Sequence, residues 1–504
     1  MRTPVDDSAR GRSGTVRRNV GPRRSKKVLR ASRAEIGGAA RAVPVSDARR
    51  CEMARTKASE EALRKLRRAV AGVASKPEEC ARSPGRDFTR RRKIPLERLL
   101  WTLVTWGEDT ISAELADAFG WDGSAPTCSA FCQRRSRLRA DVMPRLHAEF
   151  LAEWHNVPFE GRFRLVAVDG TTVQLPPSGD PRTRVRSGPG PAEHDEAHPT
   201  ALFDVRRHTF EDMAWRGARD QDEPGAFCEL ADRFDPGAAP DGTPLEALFL
   251  GDRNFCTRNC IWHLESRGSR FILRASDDWV ERFLGPEDVP EGCFDVTAER
   301  VIVRTTSLRA RSRPDEPEVY RRIASTARFD GIARGSRDEC PMTLRIVRRR
   351  IPRRDGDPNA SGDSWLNLAT NLPAGEFRAK WLVRTYKKRW DHEVAYRHLK
   401  YVVGMRDPRS RDFARAGDEV WGRLILYNAC SLGTRAALSR RRRGRTRRRA
   451  PDLTTAFKAM LRLLRGEDVD VEAVIERHYH VVRGGRHFAR RKRTRSPPRM
   501  GYRH

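Results

Sequence analysis

Three acids stand apart from the other carboxylates of this chain by where they fall. Asp169 closes the apolar run LVAV and precedes Gly170, and Asp252 follows ALFLG in the same way. Both positions are strand ends that pass into a turn, the edge at which open α/β sheets place their ligands. Glu393 lies in YKKRWDHEVAYRHLK, part of a stretch from about Ala379 to Val403 that reads as a helix. Tyr386, Arg389, Glu393 and Lys400 stand on it at offsets of zero, three, seven and fourteen. At about 100° per residue, all four fall within roughly 60° of one another. A stripe of phenol, guanidinium, carboxylate and ammonium is not a core-facing stripe. Either it is a working face that meets the two strand-end acids, or it is a surface helix with incidental ion pairs.

The elements that must position these residues can be read around them. RLVAVDG, TTVQLP, TALFDVRRHTFEDMAW, LEALFLGDRNF and RFILRAS read as strands, with helices at CELADRF and from Thr257 to Gly268. Strands and helices mixed in one unit predict an α/β sandwich. The segment SGDPRTRVRSGPGPAEHDEAH reads as irregular. Residues 160–276 are thus the first part of a core, 277–363 a β-rich insertion carrying CFDVTAERVIVRTTSL and MTLRIVRRRI, and 364–435 the second part, opening with SWLNLATNLP.

Upstream, residues 86–155 read as a small helical domain. IPLERLLWTLVTW and TISAELADAFGWDG have helical spacing, and the helix after SAPT carries Arg134, Arg135, Arg137 and Arg139. A Gly-containing turn before a basic second helix suits a helix-turn-helix-like DNA reader, with Arg134 and Arg135 as DNA contacts. A plain helical bundle with a solvated basic face fits the same residues. Residues 1–85 read as a basic, mostly disordered arm with a helix-like stretch near Glu60 to Val73, and residues 436–504 as a basic C-terminal region with one helix, LTTAFKAMLRLL.

Charge narrows the partners. A formal net charge of +32 over 504 residues repels itself in a compact fold and calls for a polyanion. Nucleic acid leads, because phosphate neutralised by Lys or Arg releases counterions. An anionic membrane is the rival, but no amphipathic anchor stands out, and runs such as LLWTLVTW are far too short to span a bilayer. A GC-rich genome accounts for much of the Arg excess, so Arg content alone says little. The ten cysteines form no disulfide framework, which suits a soluble cytoplasmic protein with reduced thiols. Cys128/Cys132 and Cys256/Cys260 have helical spacing, yet neither pair shows the partners that structural zinc requires.

Tyr, two residues, Arg, three residues, Glu, six residues, Lys is matched at Tyr386, Arg389, Glu393 and Lys400. With VDGT at Asp169, GDRNF at Asp252, RFILR, TNL, FTRRRKI and SAFCQRR in order, the chain resembles the bacterial insertion-sequence transposases that carry this Tyr-Arg-Glu-Lys signature, the fourth insertion-sequence family in the usual naming. The likeness covers roughly residues 85 to 495. It departs where the second motif more often reads GDRG followed by Tyr, since Asn254 and Phe255 stand there.

This resemblance implies an RNase H-like catalytic core with a β-rich insertion, preceded by a small helical DNA-binding domain. It implies Asp169, Asp252 and Glu393 as catalytic residues and metal ligands, with Mg²⁺ as cofactor and Mn²⁺ as a substitute. Phosphoryl transfer spreads negative charge that hard cations on carboxylates neutralise, whereas histidine-rich sites would suit zinc. Arg389, Lys400 and Tyr386 are then expected to grip phosphates, with Arg253 beside them. Trp365 is expected to stack on a flipped base, or else to be a core aromatic. The partners implied are double-stranded DNA, at transposon ends and target, and further copies of the chain on that DNA. The function expected is insertion-sequence transposition by cut-and-paste. The alternatives are an RNase H-like nuclease without strand transfer and an inactive DNA-binding derivative.

Overall fold

A computed structural model describes residues 57–90, 93–107, 109–186, 193–305, 319–351, 365–406, 408–439 and 449–481. Most of the N-terminal arm and much of the basic C-terminal region lie outside these residues.

Among the described residues, besides a single helical turn at Pro77–Cys80, the helices before the first strand are α1 (Ala58–Ala74), α2 (Leu96–Thr105), α3 (Ile111–Phe119), α4 (Cys128–Arg135) and α5 (Val142–Ala152). In α1, Ala58, Ala62, Leu66, Ala69, Val70 and Val73 are buried, an apolar stripe at helical spacing that needs a partner. This stripe changes the expected limit of the basic arm. Residues 58–85 are part of the packed body, and Arg82 N–H donates to Arg137 O at 2.7 Å while Arg139 N–H donates to Cys80 O at 3.0 Å.

The strands that follow are β1 (Phe163–Gly170), β2 (Val173–Leu175), β3 (Arg184–Arg186), β4 (Glu193–Ala197), β5 (Thr200–Asp204) and β6 (Thr209–Ala214). Then come α6 (Glu223–Arg233), β7 (Glu246–Gly251), α7 (Arg258–Ser266), β8 (Arg270–Ala275) and α8 (Asp277–Leu284). β9 (Phe294–Arg304), β10 (Tyr320–Ile323), β11 (Cys340–Arg350) and β12 (Trp365–Thr370) complete the main sheet. Among the described residues this sheet has nine strands in the order β10-β9-β11-β12-β8-β7-β1-β5-β6. β1, β7 and β8 are parallel, β5 and β12 join them antiparallel, and β6 pairs antiparallel with β5.

The stretch read as a β-rich insertion pairs into the main sheet, β11 with β12 from Arg345↔Thr370 to Arg350↔Trp365 and β9 with β11. One difference from the sequence reading stands out. The stretch read as irregular supplies β3 and β4, which form a small sheet in the order β2-β4-β3. Its strands RVR and EHDEA have almost no apolar residues, so no period of two marked them.

The apolar runs explain the layers. In β1, Leu165 and Ala167 face one buried cluster while Val166 and Val168 face the other. A strand covered on both faces reads as continuously apolar rather than alternating. One face is covered by α6, α7 and α8. The other is covered by the N-terminal helices together with α9 (Ala379–Tyr386), α10 (Trp390–Tyr401), α11 (Phe413–Ser439) and α12 (Leu453–Leu464). α11 is buried along most of its length and closes the β6 edge. The Asn428 side chain accepts from Phe210 N–H at 2.9 Å and donates to Phe210 O at 2.8 Å, pairing backbone groups that an edge strand leaves open.

Candidate active site

The sheet sets the two aspartates side by side. β1 and β7 pair in parallel from Phe163↔Glu246 to Ala167↔Leu250, and the same offset carried two residues further puts Asp169 opposite Asp252. Each strand end is tightly packed. A Cβ at Gly251 would lie 2.8 Å from a Leu273 methyl. At Gly170 it would collide with the Glu223 carboxylate and lie 2.8 Å from His198 Nε2, so a larger residue after Asp169 would have to displace the Glu223 side chain.

The third acid arrives on α10, which is pinned to the end of β1. Tyr396 Oη donates to Asp169 O at 3.0 Å, and Lys400 Nζ donates to Thr172 O at 3.0 Å. Glu393 lies one turn before Tyr396 and accepts from Arg389 Nη2 at 2.7 Å. Arg389 Nη1 is 3.8 Å from Asp169 Oδ2, so one guanidinium spans two of the acids. The helix is not continuous here. Lys387–Arg389 forms a 3₁₀ turn between α9 and α10, a tightening that frequently marks working segments.

Electrostatics tie the acids together. Burial pushes the Asp169 carboxyl up to about 7; Arg389 opposes the rise, and Asp252, Glu393 and Glu223 add to it by repulsion. Burial also raises the Tyr386 phenol, against the pull of Arg389 and Arg274. Lys400 is lowered by burial and by Arg406. Asp252 caps the turn after β7, its Oδ1 accepting from Asn254 N–H at 2.9 Å.

The residues fit a divalent metal by the chemistry of their donors. They offer carboxylate oxygens, the ligands of hard cations, and a cation would relieve the repulsion that weighs on Asp169. As the side chains stand, no group of three or more His, Cys, Asp and Glu among the described residues is arranged to hold a metal ion. The Arg389 guanidinium stands between Asp169 and Glu393 as a counter-charge.

Not every expected residue joins this site. Arg253 follows Asp252 directly and is exposed. Trp365 begins β12 at the same end of the sheet, since Asn367 pairs with Ala275 at the C-terminal end of β8; it is half-buried, with Arg348 5.9 Å from its ring. Arg134 and Arg135 are corrected. Arg134 Nε donates to Ile94 O at 3.1 Å, and its guanidinium lies 4.2 Å from the Phe88 ring. Arg135 Nη1 donates to Glu419 Oε1 at 2.6 Å, with both side chains about 5% exposed. They brace the interior because α4 turns its basic side toward α11, leaving Ser129, Ala130 and Gln133 outside. The loop between α3 and α4 also spans residues 120–127, longer than the short turn of a helix-turn-helix.

Sequence reasoning missed Glu223, His198 and Asn254. Asp222 and Pro224 signal a helix start, but nothing in that signal points Glu223 toward Asp169. Both four-residue cysteine pairs are free thiols. No helix among the described residues is long and apolar enough to cross a membrane.

Two acids follow adjacent parallel strands, and a third stands on the helix pinned to the end of the first, which gathers carboxylates at one sheet edge. Residues 160–429, over half of the chain, match the family described as the transposase DDE domain, and the chain belongs to that family of DDE transposases. Members of that class use divalent metal ions. Among curated proteins no sequence matches. The piggyBac transposase synaptic complex with hairpin DNA is similar at 9% identity, with a TM-score of 0.36 over 83% of this chain and 82% of that one.

Proposed function

We propose that this transposase moves an insertion sequence of the Tyr-Arg-Glu-Lys group, using an RNase H-like core in which Asp169, Asp252 and Glu393 hold Mg²⁺. The observation that carries this reading is geometric: Asp169 and Asp252 follow adjacent parallel strands in register, and Arg389 reaches from Glu393 at 2.7 Å to Asp169 at 3.8 Å, so three segments far apart in sequence meet at one sheet edge. When bound, divalent ions supply charge neutralisation at the scissile phosphate and at the attacking oxygen. The chain's own part is placement. β1 and β7 set the aspartates in register, α10 presents Glu393, and Arg389 shifts from its acid partners to a phosphate as DNA enters. Lys400 and Arg253 add positive charge around the strand ends.

On this reading the enzyme binds terminal inverted repeats, nicks to expose a 3′-hydroxyl, and joins that end to target DNA. Excision passes through a hairpin, and a homo-oligomer pairs the two ends. The small helical layer contributes to end recognition without Arg134 and Arg135. Trp365, at the catalytic end of the sheet, stacks on the flipped base.

The test is incubation of end-bearing duplexes with protein and Mg²⁺, Mn²⁺ or Ca²⁺. Mg²⁺-dependent nicking followed by joining to target supports the proposal. Nicking without joining, even from a supplied 3′-hydroxyl donor, identifies the nuclease alternative, and binding without any nicking identifies an inactive derivative. Trp365→Ala should slow hairpin formation and spare the first nick, since base stacking is worth about 1–3 kcal/mol. Parallel loss of both steps and of melting temperature would mark Trp365 as a core residue.

A further inference from the structure

Glu223 is a fourth carboxylate at the catalytic edge, and the family signature leaves it unused. It is the first residue of α6, in DQDEPG, and its side chain is only 15% exposed. Oε1 meets His198 Nε2 at 2.5 Å, and Oε2 accepts from the Asn254 side-chain amide. His198 is itself held, its N–H donating to Arg216 O at 2.8 Å. The neighbouring Pro199 O accepts from Thr171 N–H at 2.9 Å, which ties the His198 turn to the end of β1.

What makes this arrangement more than a local ion pair is the next atom in each direction. Asn254 N–H donates to Asp252 Oδ1 at 2.9 Å, and Gly170 N–H donates to Asp169 Oδ1 at 3.0 Å. Both residues that orient the two aspartates therefore touch Glu223, Asn254 by a hydrogen bond and Gly170 by packing too close for a Cβ. Hydrogen bonding to His198, ahead of the opposing effect of burial, holds the Glu223 carboxyl below its ordinary range, so it is an anion that accepts from both sides.

We propose that Glu223 is a positioning residue of the transposase, whose carboxylate clamps Gly170 and Asn254 so that their backbone N–H groups fix the rotamers of Asp169 and Asp252. This rests on the assignment of those two aspartates to the reaction. Its force is geometric. A misplacement of about 1 Å in a reacting group costs on the order of a hundredfold in rate, and supporting groups of this kind typically change metal affinity by roughly 10–100-fold.

The experiment compares Glu223→Ala, Glu223→Gln, Asn254→Ala and Glu223→Ala/Asn254→Ala in the full chain. Four quantities are read: nicking rate at saturating DNA and metal, affinity for Mn²⁺ titrated calorimetrically into the protein–DNA complex, affinity for end DNA, and melting temperature. Glu223→Ala should lower nicking and Mn²⁺ affinity on the order of tenfold or more, with DNA affinity unchanged. Glu223→Gln should restore most of both, because its amide can accept from Asn254 and donate to the other tautomer of His198. Asn254→Ala removes only the arm to Asp252 and should reproduce part of the loss, and the double variant should be no worse than Glu223→Ala alone. Wild-type behaviour of Glu223→Ala, a Gln variant as impaired as Ala, or additive losses would each overturn the clamp. If Glu223→Ala melts early, the exposed Asn254 decides the matter through Asn254→Ala alone. Nicking that survives Asp169→Asn and Asp252→Asn would instead sink the site assignment itself.

Discussion

Arg135 and Arg389 are both arginines facing a glutamate, and they do opposite work. Arg135 meets Glu419 at 2.6 Å in a pocket from which water is almost absent, and Glu419 also accepts from Arg409 N–H at 2.7 Å. That pair has no other function to serve, and opening it would strand a charge. Arg389 meets Glu393 at 2.7 Å and reaches toward Asp169 at 3.8 Å, but Glu393 is 31% exposed. Its partners can be shared with a cation or traded for a phosphate. The difference shows that a basic residue on a helix says little until the exposure of its partner is known: an inaccessible partner makes a strut, an accessible one makes an exchangeable counter-ion.

The sharpest break of this comparison is catalytic. Asp169→Ala, Asp252→Ala and Glu393→Ala should each reduce nicking on the order of 10³-fold or more while end binding stays near wild type. Parallel loss of DNA affinity would make the exchangeable site a structural one. Next in size is stability. Arg135→Ala should cost about 3–5 kcal/mol by leaving the buried Glu419 without its charge partner, whereas Arg389→Ala should cost about 1 kcal/mol or less because its partners can hydrate. Equal shifts in denaturant midpoint would erase the distinction. Binding measured across salt concentrations is finer still. Arg389→Ala and Lys400→Ala should each lower the salt slope by about one unit, and Arg135→Ala, if folded, should leave it unchanged.

The smallest effect is a pH dependence in a third kind of pair. His263 lies between Asp232 at 2.9 Å and Asp330 at 3.0 Å. Burial disfavours its charge, but the hydrogen bonds to Asp330 and Asp232 outweigh this and raise its pKa above 6.5. A group whose folded pKa is raised stabilises fully below its unfolded value and loses that contribution as pH rises through the folded one. The melting temperature of wild type should therefore fall toward that of His263→Gln as pH rises above about 6.5. A constant gap between the two would show that the ring acts without its charge.

Much of the fold was legible where burial is two-sided. LVAV, LFLG and FILR are apolar at every position because both faces of β1, β7 and β8 are covered, and an acid after such a run marks the strand end. α11 was not legible: GDEVWGRLILYNACSL carries Asp418, Glu419 and Arg423 inside, so its pattern matches neither a surface helix nor an apolar one. The polar strands β3 and β4 lacked a period for the same kind of reason. Arg134 and Arg135 were misread because helical spacing gives a residue's face but not which face the rest of the chain will cover. Glu223 had no local signal at all, since its role is set by Gly170, His198 and Asn254, which lie 25 to 53 positions away.

The insertion strands lend the catalytic sheet a border. β12 gives one side to β8 and the other to β11, so a chain shortened from β9 to β11 would leave β12 bare beside the reactive acids. A bare strand is a template for another strand, and the nearest one would come from a second molecule. The outermost strand, β10, is only Tyr320–Ile323 and carries Arg321 and Arg322, a short and charged rim that discourages such pairing. The segment between the second aspartate and the glutamate therefore moves the open margin of the described sheet three strands, roughly 15 Å, away from β12.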